Sequence, residues 1–476
     1  MITVSDFFCG AGGSSTGITQ VPGMEVKIAA NHWDLAIETH NTNHPTVDHA
    51  ICDLHVVDPR LFPRTDVLWA SPECTAWSQA GAAHNRPSIE EGLFEDPLSD
   101  DAKRRSRLLM FDVPRIADHH RYRTIVVENV VDIATQPRYA NAWREWQRDM
   151  RNLGYRLRIV SLNSMHAQAH GLPAPQSRDR LYIVCWRDGD TAPDVDAVMR
   201  PGAWCEQCGQ VVESRQAWKS GRTVGRYRAQ YVYVCSRPGC GRQVEPGWLP
   251  AAAAIDWDLP GQRIGDRAKP LAPKTMERIR AGLARYARAL LVAVEGRAGE
   301  DRVRPVDMAM RAQTTRNETG VLIPLRQNNT PKLTSEALDT VAASGNHHGL
   351  LMRNNSSKGD GAEMVTPTWE PARTMTTTGH QSLLMPYYGT GVAAPVEQPH
   401  RTMTTVDRYA LLERAEADVM DCLFRMLEPH EIARAMAFPA DYVMLGNKRE
   451  RVRLAGNAVT PPAARDLIAA VAEALA

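Results

Sequence analysis

Apolar and polar positions change period repeatedly along the first ~200 residues. ITVSDFF is an apolar run that leads into a glycine turn, and MEVKIAANH is a second run. TDVLWAS, TIVVENV and RLYIVCW are short and β-branched, the pattern of strands buried on both faces of a parallel sheet. Between the runs lie stretches of helical period, LAIETHNTNH and AWREWQRDMRNLG, the second stopped by a glycine. This alternation predicts a doubly wound α/β sheet.

The pattern breaks near residue 200. Residues 201–250 hold four cysteines and three tryptophans with little helical signal. Residues 251–300 read as a turn-rich segment followed by one long helix through MERIRAGLARYARALLVAV. A repeat follows, with cores MRAQTTRNETGVL, ALDTVAASGNHHGLL, ARTMTTTGHQSLL and HRTMTTVDRYALL. The aligned Arg311, Asp339, Arg373 and Arg401 are spaced by 28, 34 and 28 residues. Each core is Thr-rich and closes on an aliphatic pair, which predicts four similar β-units over 301–420. Residues 421–476 return to a helical period. The expected division is therefore a first α/β part (1–200), a cysteine-rich insertion (201–250), a helical linker (251–300), a smaller β-rich domain (301–420) and a C-terminal segment returning to the first part.

Composition narrows the classes. At 476 residues the chain exceeds one ordinary domain, and 43% hydrophobic with 23% charged residues is globular. Lys+Arg total 56 against 55 Asp+Glu, so any basic surface must be local. No apolar run is long enough to span a bilayer, and MITVSDFFCG lacks the layout of a secretory signal. Nine cysteines, an odd number without framework spacing, suit a reducing compartment, so a cytoplasmic protein is expected.

The candidate chemistry sits at strand ends. Asp6-Phe7-Phe8-Cys9-Gly10-Ala11-Gly12-Gly13-Ser14 joins the first strand to a helix, where glycines let backbone approach a nucleotide-like cofactor. An ordinary strand-to-helix turn looks much the same. The next strands end at Asn31-His32-Trp33 and Cys52-Asp53-Leu54. Asp53 can accept from an adenine amine or cap a helix, and Trp33 can face a ligand or the core. Ser71-Pro72-Glu73-Cys74 places a cysteine beyond the fourth strand, where an accessible thiolate is a nucleophile and a buried thiol is only a small hydrophobe. Glu128-Asn129-Val130 closes the fifth strand and Gln176-Ser177-Arg178-Asp179-Arg180 opens the sixth.

A nucleophilic cysteine, a carboxyl group and paired arginines at successive strand ends form one constellation. Through it the chain resembles the DNA (cytosine-5) methyltransferases of bacterial and phage type. The resemblance covers roughly residues 1–190 and 420–476. It rests on Phe8, Gly10 and Gly13, the loop with Pro72 and Cys74, Glu128-Asn129-Val130 and Gln176-x-Arg178-x-Arg180. It continues through Arg425-Met426-Leu427 with Glu431, and Gly456-Asn457-Ala458-Val459.

The resemblance implies a Rossmann-like methyltransferase domain that uses S-adenosylmethionine. Phe8, Gly10, Gly12, Gly13, His32, Trp33, Asp53, Leu54, Pro72, Asn457 and Val459 are then the expected cofactor contacts. Cys74 is implied as the nucleophile that attacks carbon 6 of a flipped cytosine. Glu128 would engage the exocyclic amine and ring nitrogen 3, Arg180 the carbonyl oxygen, and Asn129 would position the Cys74 loop. Arg178 would support the loop or a phosphate. Glu73 stands where the family usually has proline, His32 where a ribose-binding carboxylate is usual, and Leu454 where glutamine is frequent. The implied partner is double-stranded DNA, the implied state a monomer. The implied setting is a bacterial cell or phage-infected host, with restriction–modification among the roles.

A second signal is independent of the family. Cys205-x2-Cys208 and Cys235-x4-Cys240, separated by 26 residues and followed by glycines, form a zinc-ribbon pattern, with unligated thiols or two disulfides as alternatives. The segment carries seven Lys/Arg against three Asp/Glu with interleaved Trp and Tyr, which suits either nucleic-acid contact or a spacer folded by Zn2+. In the repeat region, where the family carries target recognition, Arg326, Gln327, Asn328, Arg353, Asn354, Asn355, His380 and Gln381 are candidate base readers. Lys103–Arg107, in a loop at 80–110, is a candidate phosphate clamp. An RNA cytosine-5 methyltransferase and a catalytically impaired DNA-binding homologue are the alternative functions.

Overall fold

The computed structural model describes residues 1–72, 100–256 and 422–476 continuously, and shorter segments between 257 and 421; the side chains of 100–108, 252 and 423 and of the segments between 290 and 413 lie outside this set. Two compact units result. One comprises residues 1–259, 291–321 and 426–476, the other 260–290 and 322–425. The cysteine-rich insertion thus belongs to the same unit as the α/β part.

The first unit is built on a seven-stranded sheet. Its strands are β1 (Ile2–Phe7), β2 (Met24–Asn31), β3 (Asp48–Ile51), β4 (Val67–Ala70), β5 (Thr124–Asn129), β6 (Tyr155–Asn163) and β7 (Asp179–Arg187), in the order β3-β2-β1-β4-β5-β7-β6. The first five pair in parallel, whereas β7 runs antiparallel to both β5 and β6. This corrects the reading of RLYIVCW as a parallel strand. RLYIVCW is a strand as predicted, but being buried on both faces does not specify strand direction. β6 escaped the sequence reading because its first half, YRLRI, mixes exposed arginines with apolar residues.

Period-two alternation fills both faces. Val67, Trp69 and Val126 join helices α1 (Gly13–Ile18) and α7 (Pro461–Leu475) in one buried cluster. Leu68, Ala70, Ile125 and Val127 face the opposite way, toward helices α3 (Asp100–His120) and α4 (Ala140–Asn152). On α4 the buried residues are Trp143, Trp146 and Met150, the i, i+3, i+7 spacing of one helical face. Trp146 also donates from Nε1 to the Met110 carbonyl at 2.7 Å, so its polar edge is satisfied inside the core. Helix α2 (Asp34–Asn43) follows β2, and the C-terminal segment adds α5 (Pro429–Ala435) and α6 (Lys448–Asn457). No helix among the described residues is long and apolar enough to cross a membrane.

Residues 202–246 form a small closed antiparallel barrel of β8 (Gly202–Cys205), β9 (Gln210–Trp218), β10 (Tyr231–Cys235) and β11 (Gln243–Pro246). Two expectations need correction. Leu290–Ala293, read as the end of a helix, is a strand, because a four-residue apolar run carries no period that separates the two. Lys103–Arg107 falls within α3, not in a loop.

The second unit contains a four-stranded antiparallel sheet of β12 (Leu350–Asn354), β13 (Val365–Pro367), β14 (His380–Pro386) and β15 (Tyr409–Glu413), ordered β13-β12-β14-β15. The aliphatic pairs that close three of the repeat cores fall on β12, β14 and β15. They lie in cross-strand register, Leu351 opposite Leu383 and Leu383 opposite Leu412. Each of these three repeats thus contributes one strand to the sheet. Arg353 is opposite Gln381 and Asn354 opposite His380. Arg326, Gln327, Asn328 and Asn355 lie outside the described residues.

Candidate catalytic pocket and a four-cysteine cluster

The carboxyl ends of β1, β2, β4 and β5 lie along one edge of the sheet, the usual place for ligands in such folds. The loop after β1 begins with Phe8 at φ +58°, Gly10 at φ +53° and Gly12 at φ +90°. Its glycines serve different ends. A Cβ on Gly10 would meet nothing within 4 Å, so this backbone faces open space. A Cβ on Gly13 would lie 2.0 Å from the Val459 carbonyl oxygen, and one on Gly12 would lie 2.6 Å from the Tyr442 hydroxyl. The Cβ direction of Gly10 is open, while those of Gly12 and Gly13 admit the C-terminal segment. Tyr442 Oη secures the closure by donating to the Ala11 carbonyl.

Beneath this loop Asp6 is buried and accepts from Ser14 Oγ and Ser15 Oγ, both at 2.6 Å. Desolvation outweighs these donors and pushes its carboxyl up to about 6. Ser15 continues to His40 Nε2 at 2.9 Å, and His40 Nδ1 to His49 Nε2 at 2.8 Å. Burial first, then His44 and His49, holds His40 well below the usual histidine range.

At the end of β2, His32 is exposed, and Trp33 is half-buried with the Arg453 guanidinium 4.5 Å from its ring centroid. Beyond β3, Asp53 is exposed and its Oδ1 accepts from the His55 backbone NH at 3.0 Å. Leu54 is buried, and its carbonyl accepts from Arg115. Asn457 is exposed at the end of α6, and Val459 is buried against Gly13.

The reactive group of residues gathers at β4, β5 and β7. Cys74 lies outside the described residues, as does Glu73, but Pro72 is in place. Asn129 is buried and donates from Nδ2 to the Pro72 carbonyl at 3.4 Å, two residues before Cys74. Glu128 Oε1 meets Arg180 Nε at 2.8 Å, with 12% and 18% of the side chains exposed. A carboxylate and a guanidinium thus meet, partly desolvated, at the end of β5 and the start of β7.

Arg178 does otherwise. It is buried and donates from Nη2 to the carbonyls of Gly456 (3.2 Å) and Ala458 (3.0 Å). Where support of the loop or a phosphate was expected, these bonds of the guanidinium hold the C-terminal Gly-Asn segment. Glu431 is likewise structural, accepting from the backbone NH of Glu428 and of Asp256, each at 2.7 Å.

Several contributors carried no sequence signal. Asp132 is buried and paired with Arg226. Asp179, between the two arginines, accepts from the Tyr227 backbone NH at 2.9 Å. Its carboxyl is pushed up to about 6, by desolvation that outweighs Tyr227, Asn163 and the nearby arginines. Asn163 Oδ1 accepts from the Arg178 NH at 3.0 Å. Each is a common polar residue whose partner is set by the fold.

In the barrel, Cys205, Cys208, Cys235 and Cys240 bring their sulfurs within 4.8 Å of one another. Cys205–Cys240 are 3.7 Å apart and Cys208–Cys235 3.8 Å. A disulfide needs about 2.05 Å. Four sulfurs at about 2.3 Å from a tetrahedral Zn2+ lie about 3.8 Å apart along each edge. Desolvation resists ionisation of Cys205, but the Cys208 backbone NH and the neighbouring thiols outweigh it and lower its pKa below the usual thiol value.

The sequence profile of the C-5 cytosine-specific DNA methylases matches residues 2–202 and 302–473. Type II methyltransferase M.HhaI of Haemophilus parahaemolyticus is 27% identical over 184 residues, 38% of this chain and 48% of that protein. Type II methyltransferase M.BsuFI of Bacillus subtilis is 28% identical over 184 residues, 38% of this chain and 39% of that protein. The chain thus spans half or less of the curated relatives it matches. The crystal structure of the S. pombe Dnmt2 methyltransferase aligns over 100% of this chain and 99% of that one, at 13% identity and a TM-score of 0.48.

Proposed function

The chain belongs to the C-5 cytosine-specific DNA methylase family, and on that premise we propose that it methylates carbon 5 of a flipped cytosine in double-stranded DNA through a covalent adduct on Cys74. The observation that carries this reading is the Glu128–Arg180 pair at 2.8 Å, with the adjacent Asn129 bonded to the Pro72 carbonyl two residues before Cys74.

The family uses S-adenosylmethionine, and the β1 loop suits it. Phe8 and Gly10 are left-handed, Gly10 opens onto free space, and Trp33 and Asp53 stand beyond the next two strands. When bound, the cofactor supplies an electrophilic methyl group. The protein's part is to make carbon 5 nucleophilic. The Cys74 thiolate adds to carbon 6, and the ring electrons move toward nitrogen 3 and carbon 5. Glu128 accepts from the exocyclic amine through one oxygen and passes a proton, drawn from solvent, to nitrogen 3 from the other, neutralising the charge that develops there. Arg180 donates to the carbonyl oxygen and pairs with the Glu128 carboxylate that the transfer leaves. After methylation, loss of the carbon 5 proton to a base expels the thiolate and restores the ring.

We also assign Zn2+ to the four cysteine thiolates, as a closed structural site. Its support is the sulfur spacing. The repeat sheet is assigned to base recognition, supported by the register that places Arg353 beside Gln381 and Asn354 beside His380.

The test uses purified protein, S-adenosylmethionine and unmethylated duplex DNA, with Cys74→Ala in parallel and 5-methyldeoxycytidine read by mass spectrometry. Product from the native protein but not from the variant is expected. Product on RNA only, or from both proteins, would overturn the substrate or the nucleophile respectively.

A further inference from the structure

The cysteine barrel is too small to sustain itself. Its buried core is Ala203, Cys205, Val212, Tyr231, Tyr233, Cys235 and Val244, and two of these seven are cysteines of the cluster. A core of this size needs a metal or another domain to hold it. The barrel has a four-thiol site suited to the first and a contact with the second. The cluster closes one end. At the other, the loop between β9 and β10 lies against the catalytic sheet.

That contact is specific. Arg226 Nη2 pairs with buried Asp132, three residues beyond Asn129. The Tyr227 NH donates at 2.9 Å to Asp179, the residue before Arg180. The Gly225 NH donates to Ser161 Oγ at 3.2 Å, and Gln216 Nε2 donates to the Ser161 carbonyl at 2.8 Å. The rings of Tyr227 and Tyr233 pack edge-on to buried His166 at 4.6 and 5.0 Å. One tripeptide, Gly225-Arg226-Tyr227, therefore grips the flank of Glu128 through Asp132 and the flank of Arg180 through Asp179.

The two ends of the barrel are rigidly joined. Strand β10 runs from Tyr231 to Cys235, and its register with β9 sets Cys235 opposite Ser214 and Tyr233 opposite Gln216. Four residues of strand carry about 13 Å, so a shift at the sulfurs reaches the docking loop without a flexible joint.

We infer that Arg226 and Tyr227 are positioning residues for the Glu128–Arg180 pair, and that metal held by Cys205, Cys208, Cys235 and Cys240 keeps them in place. The inference rests on the zinc assignment and on the methyltransferase reading. It makes the barrel a metal-dependent part of the catalytic pocket and not a spacer.

The experiment uses the full chain. Zinc content, S-adenosylmethionine affinity, the chemical-denaturation midpoint and single-turnover methylation at saturating DNA are measured for the native protein, Arg226→Met, Arg226→Lys and chelator-treated protein. Arg226→Met is expected to keep one zinc and the native cofactor affinity while its single-turnover rate falls about tenfold or more, as misplacement of a catalytic pair by a fraction of an ångström would cause. Arg226→Lys should recover part of that rate, which a merely stabilising role would not require. Chelation should lower the rate in step with zinc loss. Full rate in zinc-loaded Arg226→Met overturns the positioning role. Full rate in zinc-free protein overturns metal control. Absence of zinc from the native protein overturns the zinc assignment itself, and absence of methylation by the native protein overturns the methyltransferase reading.

Discussion

Two substitutions in one loop separate architecture from cofactor binding. In Gly13→Ala the new Cβ would lie 2.0 Å from the Val459 carbonyl oxygen, so about 1.4 Å of movement is needed to reach ordinary contact at 3.4 Å. That movement displaces a segment held by Arg178 on the Ala458 carbonyl and by the Ser164–Thr460 hydroxyl pair at 2.8 Å. Losing a charge-assisted and a neutral hydrogen bond, with local repacking, costs about 3–5 kcal/mol. In Gly10→Ala the Cβ meets nothing, and only the left-handed φ of +53° is penalised. That strain is about 1–2 kcal/mol, partly offset by the lower chain entropy of the unfolded alanine variant. Urea denaturation followed by tryptophan fluorescence measures both, and titration calorimetry with S-adenosylmethionine measures affinity. Gly13→Ala should unfold much earlier. Gly10→Ala should stay folded with cofactor affinity reduced about tenfold or more. A Gly13→Ala protein within about 1 kcal/mol of the native one would refute the reasoning, because the Val459 backbone would then have no need of the glycine.

Other consequences can be checked as directly. Asp6 has a folded pKa of about 6, above its unfolded value, so its contribution to stability is full below pH 3.8 and is lost as pH rises through 6. Relative to Asp6→Asn, the native protein should lose about 3 kcal/mol between pH 4 and 7, and parallel pH–stability profiles would contradict this. Glu128→Gln removes charge while keeping shape, and should lower the methylation rate about 100-fold or more with cofactor affinity unchanged; an unaltered rate at saturating DNA would remove Glu128 from the chemistry. Arg178→Met leaves the Gly456 and Ala458 carbonyls short of a donor and should cost about 3–5 kcal/mol of stability. If it abolishes methylation while leaving the denaturation midpoint unmoved, Arg178 acts in the pocket and not as a clamp.

Local period and residue type were enough to predict β1, β2, β4, β5 and β7, helices α2 and α4, and the placing of the candidate residues at strand ends. Strand identity depends on neighbours a few residues away, and both faces of this sheet are covered, so its strands read as near-continuous apolar runs. The aliphatic pairs of the repeats were visible for the same reason, and the sheet sets three of them side by side. The four cysteines were legible because metal-ligand spacing is short-range, and the barrel brings their sulfurs within 4.8 Å of one another.

What depends on distant partners had no such trace. Strand direction in the second half of the sheet follows from how β7 pairs with β5 and β6. The role of Gly13 is set by Val459, that of Arg178 by Gly456 and Ala458, and those of Asp132 and Asp179 by a loop in the insertion. A glycine, an arginine or an aspartate carries the same chemistry wherever it stands. Burial and the partner it meets decide whether it binds a ligand, clamps a backbone or braces a catalytic pair, and both are properties of the folded chain. The sequence by itself therefore determined the ordered motifs that mark the family, and the tertiary structure alone decided which partner each of their polar residues meets.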